Sequence, residues 1–244
     1  MTLGRAASVL AALVAVQGCS VAVASPAHIA ETFAGPDELI AAEGTPGSDD
    51  ASWDVTSGTL FRAGGNGWTG HPDAGGTPES TGSAVFRMVS EDRRFADLDM
   101  SVTLRVDALV ETSRTPAQDY DGAHIWVRYR SDRELYAVSV DRRDATMIIK
   151  KKCPGGDSNG GTYYDLSPSL PDVPIPQGQW QHVAVSVRDL PDGSVHITAA
   201  RDGVPIEATD DGIGCPALRG GGGVGIRGDN AELRFANIIV DQGS

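Results

Sequence analysis

The chain has 244 residues, a formal net charge of -13, and Gly 30 and Pro 14 against 6% aromatic residues. That balance argues against a nucleic-acid partner and for many turns between short strands rather than long helices. Beyond the N-terminus no segment has a helical period or a membrane-spanning apolar run, so a soluble mature protein with no membrane partner is expected.

Residues 1–24 read as a secretion signal: Arg5 is the positive end, Ala6 to Val16 the apolar stretch, and Ala22-Val23-Ala24 the small-x-small cleavage pattern. A lipoprotein signal, with Val16-Gln17-Gly18 before Cys19, is the alternative. Removing residues 1–24 takes away one arginine and no acid and leaves -14. No internal repeat or linker divides residues 25–244, which predicts a single domain.

His28 to Phe33 can form a first strand, and 36–52, rich in Gly, Pro, Ser and Asp, reads as loop. Trp53 to Val55 and Thr59 to Phe61 flank Ser57-Gly58 and suggest a short hairpin. The stretch holding Trp68 and His71 is Gly-rich and is expected to be irregular. Ser83 to Val89 is the next strand. Leu98, Met100, Val102, Leu104 and Val106 then alternate with polar residues, the clearest strand in the chain.

Residues 121–152 read as three consecutive strands joined by turn-like Ser131 to Glu134 and Arg142 to Ala145. Period-two alternation sends Ile125, Val127 and Tyr129 one way and His124, Trp126, Arg128 and Arg130 the other. Tyr136, Lys150 and Lys152 are expected to join that second face, giving it aromatic and cationic groups. From Arg128 to Lys152 eight basic residues stand against four acidic ones, a local +4 in a mature chain that is otherwise -18. Charged strand edges that discourage aggregation account for this; so does a local anion site.

Residues 153–161 are expected to be a flexible loop, and 168–178, with four prolines, a crossing loop. Val183, Val185 and Val187 mark a core-facing strand, followed through Pro191-Asp192-Gly193 by Val195, Ile197 and Ala199. A short run from Val204 to Ala208, then Gly223 to Arg227 and Ala231 to Asp241, close the chain, with Arg227-Gly228-Asp229 read as part of a turn. Cys153 and Cys215 are the two cysteines of the mature chain, and in an exported protein they are expected to form one disulfide, two unpaired thiols being the alternative. Strands at short intervals with no helix predict an all-β, antiparallel sandwich.

The order FADLDMSVTLRV, GAHIWVRYR, ELYAVSVDRRDATMIIKKK, GQWQHVAVSVRDLPDGSVHITAARDG and GVGIRGDNAELRFANIIV resembles the concanavalin A-like lectin/glucanase superfamily, and within it the laminin-G-like sandwiches of secreted bacterial proteins. The resemblance covers roughly residues 28–241 and rests mostly on the W-x-H-V and D-G turn tokens and the closing G-x-G-I-R. It implies a jelly roll whose concave sheet binds glycans, often with a structural calcium. Glu31 and Asp241, near the two terminal strands, are the acids expected to hold that ion.

Glucanases of this superfamily carry E-x-D-x-E or E-x-D-x-x-E on one strand, and this chain has neither. A polysaccharide lyase needs a base, an acid and a group that neutralises the substrate carboxylate. His124, Tyr136 and Tyr163 are the proton-transfer candidates, with Trp126, Arg128, Arg130, Lys150 and Lys152 as the binding groups. Cross-strand packing accounts equally for Trp126, and a hydrogen bond to a neighbouring strand for His124. The expectation is a secreted, monomeric protein that recognises polysaccharide, with an acidic glycan favoured. A β-eliminating lyase, and a structural or partner-binding module without a glycan ligand, are the alternatives.

Overall fold

The computed structural model describes residues 27–43, 52–73 and 83–243; the proposed signal and the cleavage site before residue 25 lie outside them. All sixteen elements among the described residues are strands, and every pairing is antiparallel. One sheet has the order β14 (Val204–Asp210), β13 (Val195–Arg201), β12 (Gln181–Asp189), β7 (Leu98–Leu109), β16 (Ala231–Gln242), β5 (Asn66–Trp68), β4 (Thr59–Ala63), β2 (Glu38–Ala42), with β1 (His28–Glu31) also pairing β16. The other runs β11 (Gly161–Asp165), β10 (Ile148–Ser158), β9 (Glu134–Arg142), β8 (Gly122–Ser131), β15 (Gly223–Asp229), β6 (Val85–Ser90), β3 (Trp53–Ser57).

The apolar residues picked out by alternation fill the space between the sheets. Leu98 to Val106 of β7, the valines of β12, Ile197 of β13 and Ile125, Val127 and Val138 of the facing sheet form one buried cluster. Three polar clasps also cross the sandwich. Arg201 and Gln181 donate to Asp141 at 2.6 and 3.0 Å. Lys151 pairs with Asp210 at 2.9 Å, and Arg128 reaches Asp97 and Asp189 at 3.2 and 3.0 Å. Charges in a dry interior persist only when paired in this way. Cys153 and Cys215 form the expected disulfide, beside the Lys151 contact to the Cys215 carbonyl.

Four local readings of the sequence are overturned. Trp53 to Val55 and Thr59 to Phe61 do not form a hairpin: β3 pairs β6 and β4 pairs β2 and β5, in opposite sheets. The chain changes sheets at Gly58, whose φ of 78° lies in the region that favours glycine. Residues 38–42 and 66–68, read as loop and irregular chain, are β2 and β5, because the partner strand supplies hydrogen bonds that weak local propensity does not advertise. The supposed flexible loop from Cys153 belongs largely to the β10–β11 hairpin, with Gly155 and Gly156 at positive φ. Finally, β15 continues through Asp229 and only Asn230, at φ 44°, makes the turn, so Arg227-Gly228-Asp229 is strand.

Candidate functional site

The outer face of the seven-stranded sheet carries a second apolar cluster of Val89, Trp126, Tyr129, Leu135 and Ala137, with Tyr163 packed against it. Regular alternation places Trp126 and Tyr129 on opposite faces. Arg128 breaks the alternation: it sits at φ 51°, and the β8–β9 register shifts between Val127 and Ser131. One extra residue in a strand turns every later side chain to the other face. Trp126 and Tyr129 therefore stack, with ring centroids 5.5 Å apart and planes 10° apart.

Arg128, expected on the binding face, instead points into the sandwich and is 0% exposed. Tyr136 is also a correction. It follows Leu135, whose side chain is outward, so period two sends it inward, where its hydroxyl donates to Asp210 at 2.6 Å and accepts from the Leu218 amide at 2.8 Å. Arg130 lies on the surface, held by Glu134 at 3.1 Å and by the Arg219 carbonyl, and does not line the pocket described next.

That pocket has a volume of about 190 Å³ and is lined by Tyr120, His124, Trp126, Ala137, Ser139, Arg142, Lys150, Ser158, Tyr163, Arg227 and Asp229. His124 has Arg227 of β15 and Ser139 of β9 as its cross-strand partners, and Trp126 has Gly225 and Ala137. Its lining contains the expected His124, Trp126, Lys150 and Tyr163. Lys152 shares their face; its ammonium donates to the Asp132 carbonyl at 2.5 Å and lies 5.1 Å from the Tyr163 ring centroid. Lys150 pairs with Asp165 at 3.0 Å.

The sheet is strongly curved here. Arg227 and Tyr163 stand four strands apart in the order β15-β8-β9-β10-β11, a span of roughly 19 Å if the sheet were flat. Yet the Tyr163 hydroxyl lies 3.4 Å from Arg227 Nη1. The β10–β11 hairpin therefore curls over the face, with Trp126 as a wall beneath it. Trp126 is 1% exposed, so it is not an open stacking platform. Tyr120, at 46% exposure, is the ring that the pocket presents to solvent.

A polar chain runs across the floor. The Ser139 hydroxyl and His124 Nδ1 are hydrogen-bonded at 2.8 Å, and His124 Nε2 lies 3.2 Å from Asp229 Oδ2. Arg227 grips Asp229 through Nε and Nη2 at 2.6 and 2.7 Å. Burial alone would raise the carboxyl of Asp229, but Arg227, then His124, hold it far below the usual carboxylate range. Burial is the largest influence on the Tyr163 hydroxyl, pushing its pKa up, with Arg227 opposing. Burial and then Arg227 bring Lys152 down to about 8.

Glu31 and Asp241 are not brought together as ligands. The terminal strands pair, but Asp241 stands opposite His28 and Glu31 opposite Ile238. Asp241 accepts from His28 at 2.8 Å and Glu31 from the Phe33 amide at 2.6 Å. Among the described residues no group of three or more His, Cys, Asp or Glu is placed to hold a metal ion, so these acids do not fit calcium and no role is derived for it.

Arg227, Asp229, Ser139 and Tyr120 were missed by sequence reading. The tripeptide at 227–229 reads as a turn, and Tyr120 stands just before the first of the three central strands. The alternation of Arg227 and Asp229 with small Gly228 was the one signal that pointed to a strand face.

No protein-family description matches the chain, and no curated protein matches it in sequence. Solved structures do match. A Bacillus subtilis protein of unknown function with a galectin-like fold is 12% identical, over 78% of this chain and 89% of that one, with a TM-score of 0.54. The exoplasmic/lumenal domain of VIP36, in a Ca2+/Man3GlcNAc-bound form, is 12% identical over 89% and 88%, with a TM-score of 0.51. A structure described with endo-acting O-glycanases of the human gut microbiota that initiate mucin breakdown is 10% identical over 88% and 99%, with a TM-score of 0.56. At these identities the likeness is one of fold: the chain is an all-β antiparallel sandwich that shares the fold of these proteins, galectin-like in the first of them.

Proposed function

We propose that the chain is an exported carbohydrate-binding protein and that the curled face of the seven-stranded sheet is its glycan site. The observation that carries this is the pocket itself: an exposed Tyr120 ring, the Trp126 and Tyr163 walls, and converging donors from His124, Lys150 and Arg227. Aromatic walls with a few placed polar groups are what a small polar ligand needs. VIP36, a structural neighbour, has been solved with Man3GlcNAc, which supports a sugar ligand. The disulfide supports export.

Binding is favoured over two-carboxylate hydrolysis. Such hydrolysis needs a pair of carboxylates flanking the bond, and the lining holds one, Asp229, already gripped by Arg227. A β-eliminating lyase is the second reading, because His124, Tyr163 and Arg227 meet in one pocket. There a base would take the proton α to a uronate carboxylate, a cation would neutralise that carboxylate, and an acid would protonate the leaving oxygen.

The test is affinity electrophoresis and calorimetry against neutral and uronate polysaccharides, with absorbance followed for unsaturated products. Tyr120→Ala should weaken binding about tenfold, the scale of one aromatic contact. Retention of full affinity by Tyr120→Ala and by Lys150→Ala together would refute this site. Rising absorbance, lost in His124→Ala, would replace binding by elimination.

A further inference from the structure

Beside the pocket, two guanidiniums face each other across adjacent strands. Arg87 of β6 is the direct cross-strand partner of Arg227, an arrangement of like charges that destabilises a sheet. Asp229 relieves it only in part: both of its oxygens are engaged by Arg227, and its charge offsets but does not cancel the repulsion felt by Arg87. Arg87 Nε is buried and has no hydrogen-bond partner among the described residues. The Lys152 ammonium, which the curl of the sheet brings to the same place, has a backbone carbonyl as its hydrogen-bond acceptor. Lys152 is 1% exposed, so this is a dry location for an excess of cations.

The electrostatics agree with the geometry. Burial, and then Arg227, hold Arg87 below its ordinary value. Both Arg227 and Arg87 are among the charges that push Lys152 down. Three cations thus share a site with the Tyr163 hydroxyl, itself 3.4 Å from Arg227, against Asp229 and the more exposed Asp132. A protein that keeps an unsatisfied donor and mutually repelling cations beside a pocket has stability to recover when an anion arrives.

We propose that Arg87, Arg227, Lys152 and Tyr163 form an anion subsite that receives a carboxylate or sulfate substituent of the bound glycan. The proposal deepens the glycan reading above and rests on it for the rest of the ligand. It assigns the acidic-glycan preference to particular atoms, with Arg87 as the specificity-determining residue: Arg227 is committed to Asp229, whereas Arg87 keeps a donor in reserve. Arg128 and Arg130 take no part in it.

Two measurements test it. In the first, the melting temperature of the purified protein is followed in sodium sulfate and in sodium chloride at matched ionic strength. Sulfate should raise it more in the wild type than in Arg87→Gln, where only the general stabilisation by an excluded salt remains, while ligand-free Arg87→Gln should melt at or above the wild type, because a repulsion has been removed. An equal sulfate response in both proteins would overturn the subsite.

In the second, calorimetry compares polygalacturonate, its fully methyl-esterified form and a sulfated galactan. The wild type should prefer a charged polymer over the esterified one by tenfold or more, Arg87→Gln should not, and Arg87→Lys should recover part of the preference. The charged polymer that binds tells a carboxylate from a sulfate. Equal binding of charged and esterified polymers overturns the subsite and leaves the glycan reading standing. If no polymer binds the wild type, the glycan reading falls, and the sulfate response alone decides the subsite.

Discussion

Replacing Cys153 and Cys215 together by alanine removes the one covalent tie between the seven-stranded sheet and the loop that follows β14. The bond closes a loop of 62 residues. Taken as a restriction of the unfolded chain, the loop-closure relation gives an entropy of roughly 14 cal/mol/K, or about 4 kcal/mol at room temperature. The tie is backed by a polar network. Lys151 bonds both Asp210 and the Cys215 carbonyl, and the Tyr136 hydroxyl holds Asp210 and the Leu218 amide. The native position of the loop should therefore survive the loss of the bond, leaving the unfolded state as the place where the energy changes. Guanidinium unfolding, followed by tryptophan fluorescence, should show the midpoint falling by about 4 kcal/mol divided by the measured slope, with affinity for a pocket ligand unchanged. A loss below about 1 kcal/mol would refute the chain-entropy argument. A lost affinity would refute the claim that the network alone positions the loop.

Tyr136→Phe should cost about 1–3 kcal/mol, because it leaves the buried Leu218 amide without an acceptor and deprives Asp210 of a donor; ligand affinity should not move, and a lost activity with unchanged stability would return Tyr136 to the site. Arg128→Met should cost about 1–3 kcal/mol, since it removes the cation shared by Asp97 and Asp189, which are part-exposed and keep the Asp189 and Gly220 amides as donors; a denaturation midpoint measures this, and a gain in stability would refute the pairing. Asp229 is held below its ordinary range in the folded protein, so its stabilisation is complete above the unfolded carboxyl value near 4 and declines as the solution is acidified. Asp229→Asn should flatten the acid limb of stability against pH, and an unchanged limb would refute the Arg227 pairing. Lys152 titrates at about 8 when folded, below its unfolded value near 10.4, so its contribution should rise as pH climbs between the two. A Lys152→Met protein that keeps the same alkaline gain would place its origin elsewhere.

The sandwich was legible in the sequence because burial on one face of a strand imposes a period of two, and β7, β12 and β13 keep it without interruption. The same logic placed His124 and Trp126 together and sent Ile125 and Val127 inward. It failed from Arg128 onward because a register shift leaves no mark in local composition; the compensating groups, Asp97 and Asp189, lie 31 and 61 residues away. Three consecutive lysines also concealed two roles. Lys150 and Lys152 face outward, whereas Lys151 is buried against Asp210, 59 residues on. The proposed anion site was half visible. The local excess of cations was counted correctly, but Arg227 and Arg87 lie outside that segment and enter only through strand order and the curl of β10 and β11. Edge strand β2 and short β5 were hard to read for a related reason, since their regularity comes from partners more than from their own residues.

Strands β15 and β16, made after all the others, lie inside both sheets: β15 between β8 and β6, β16 between β7 and β5. Until residues 223–242 emerge from the ribosome, neither sheet can join its two halves, and β6 and β8 have no common partner. Native pairing must then close contacts as distant as His28 with Asp241, a high contact order that makes folding slow. The two sheets are completed together, when the last two strands enter one gap each on either side of the turn at Asn230.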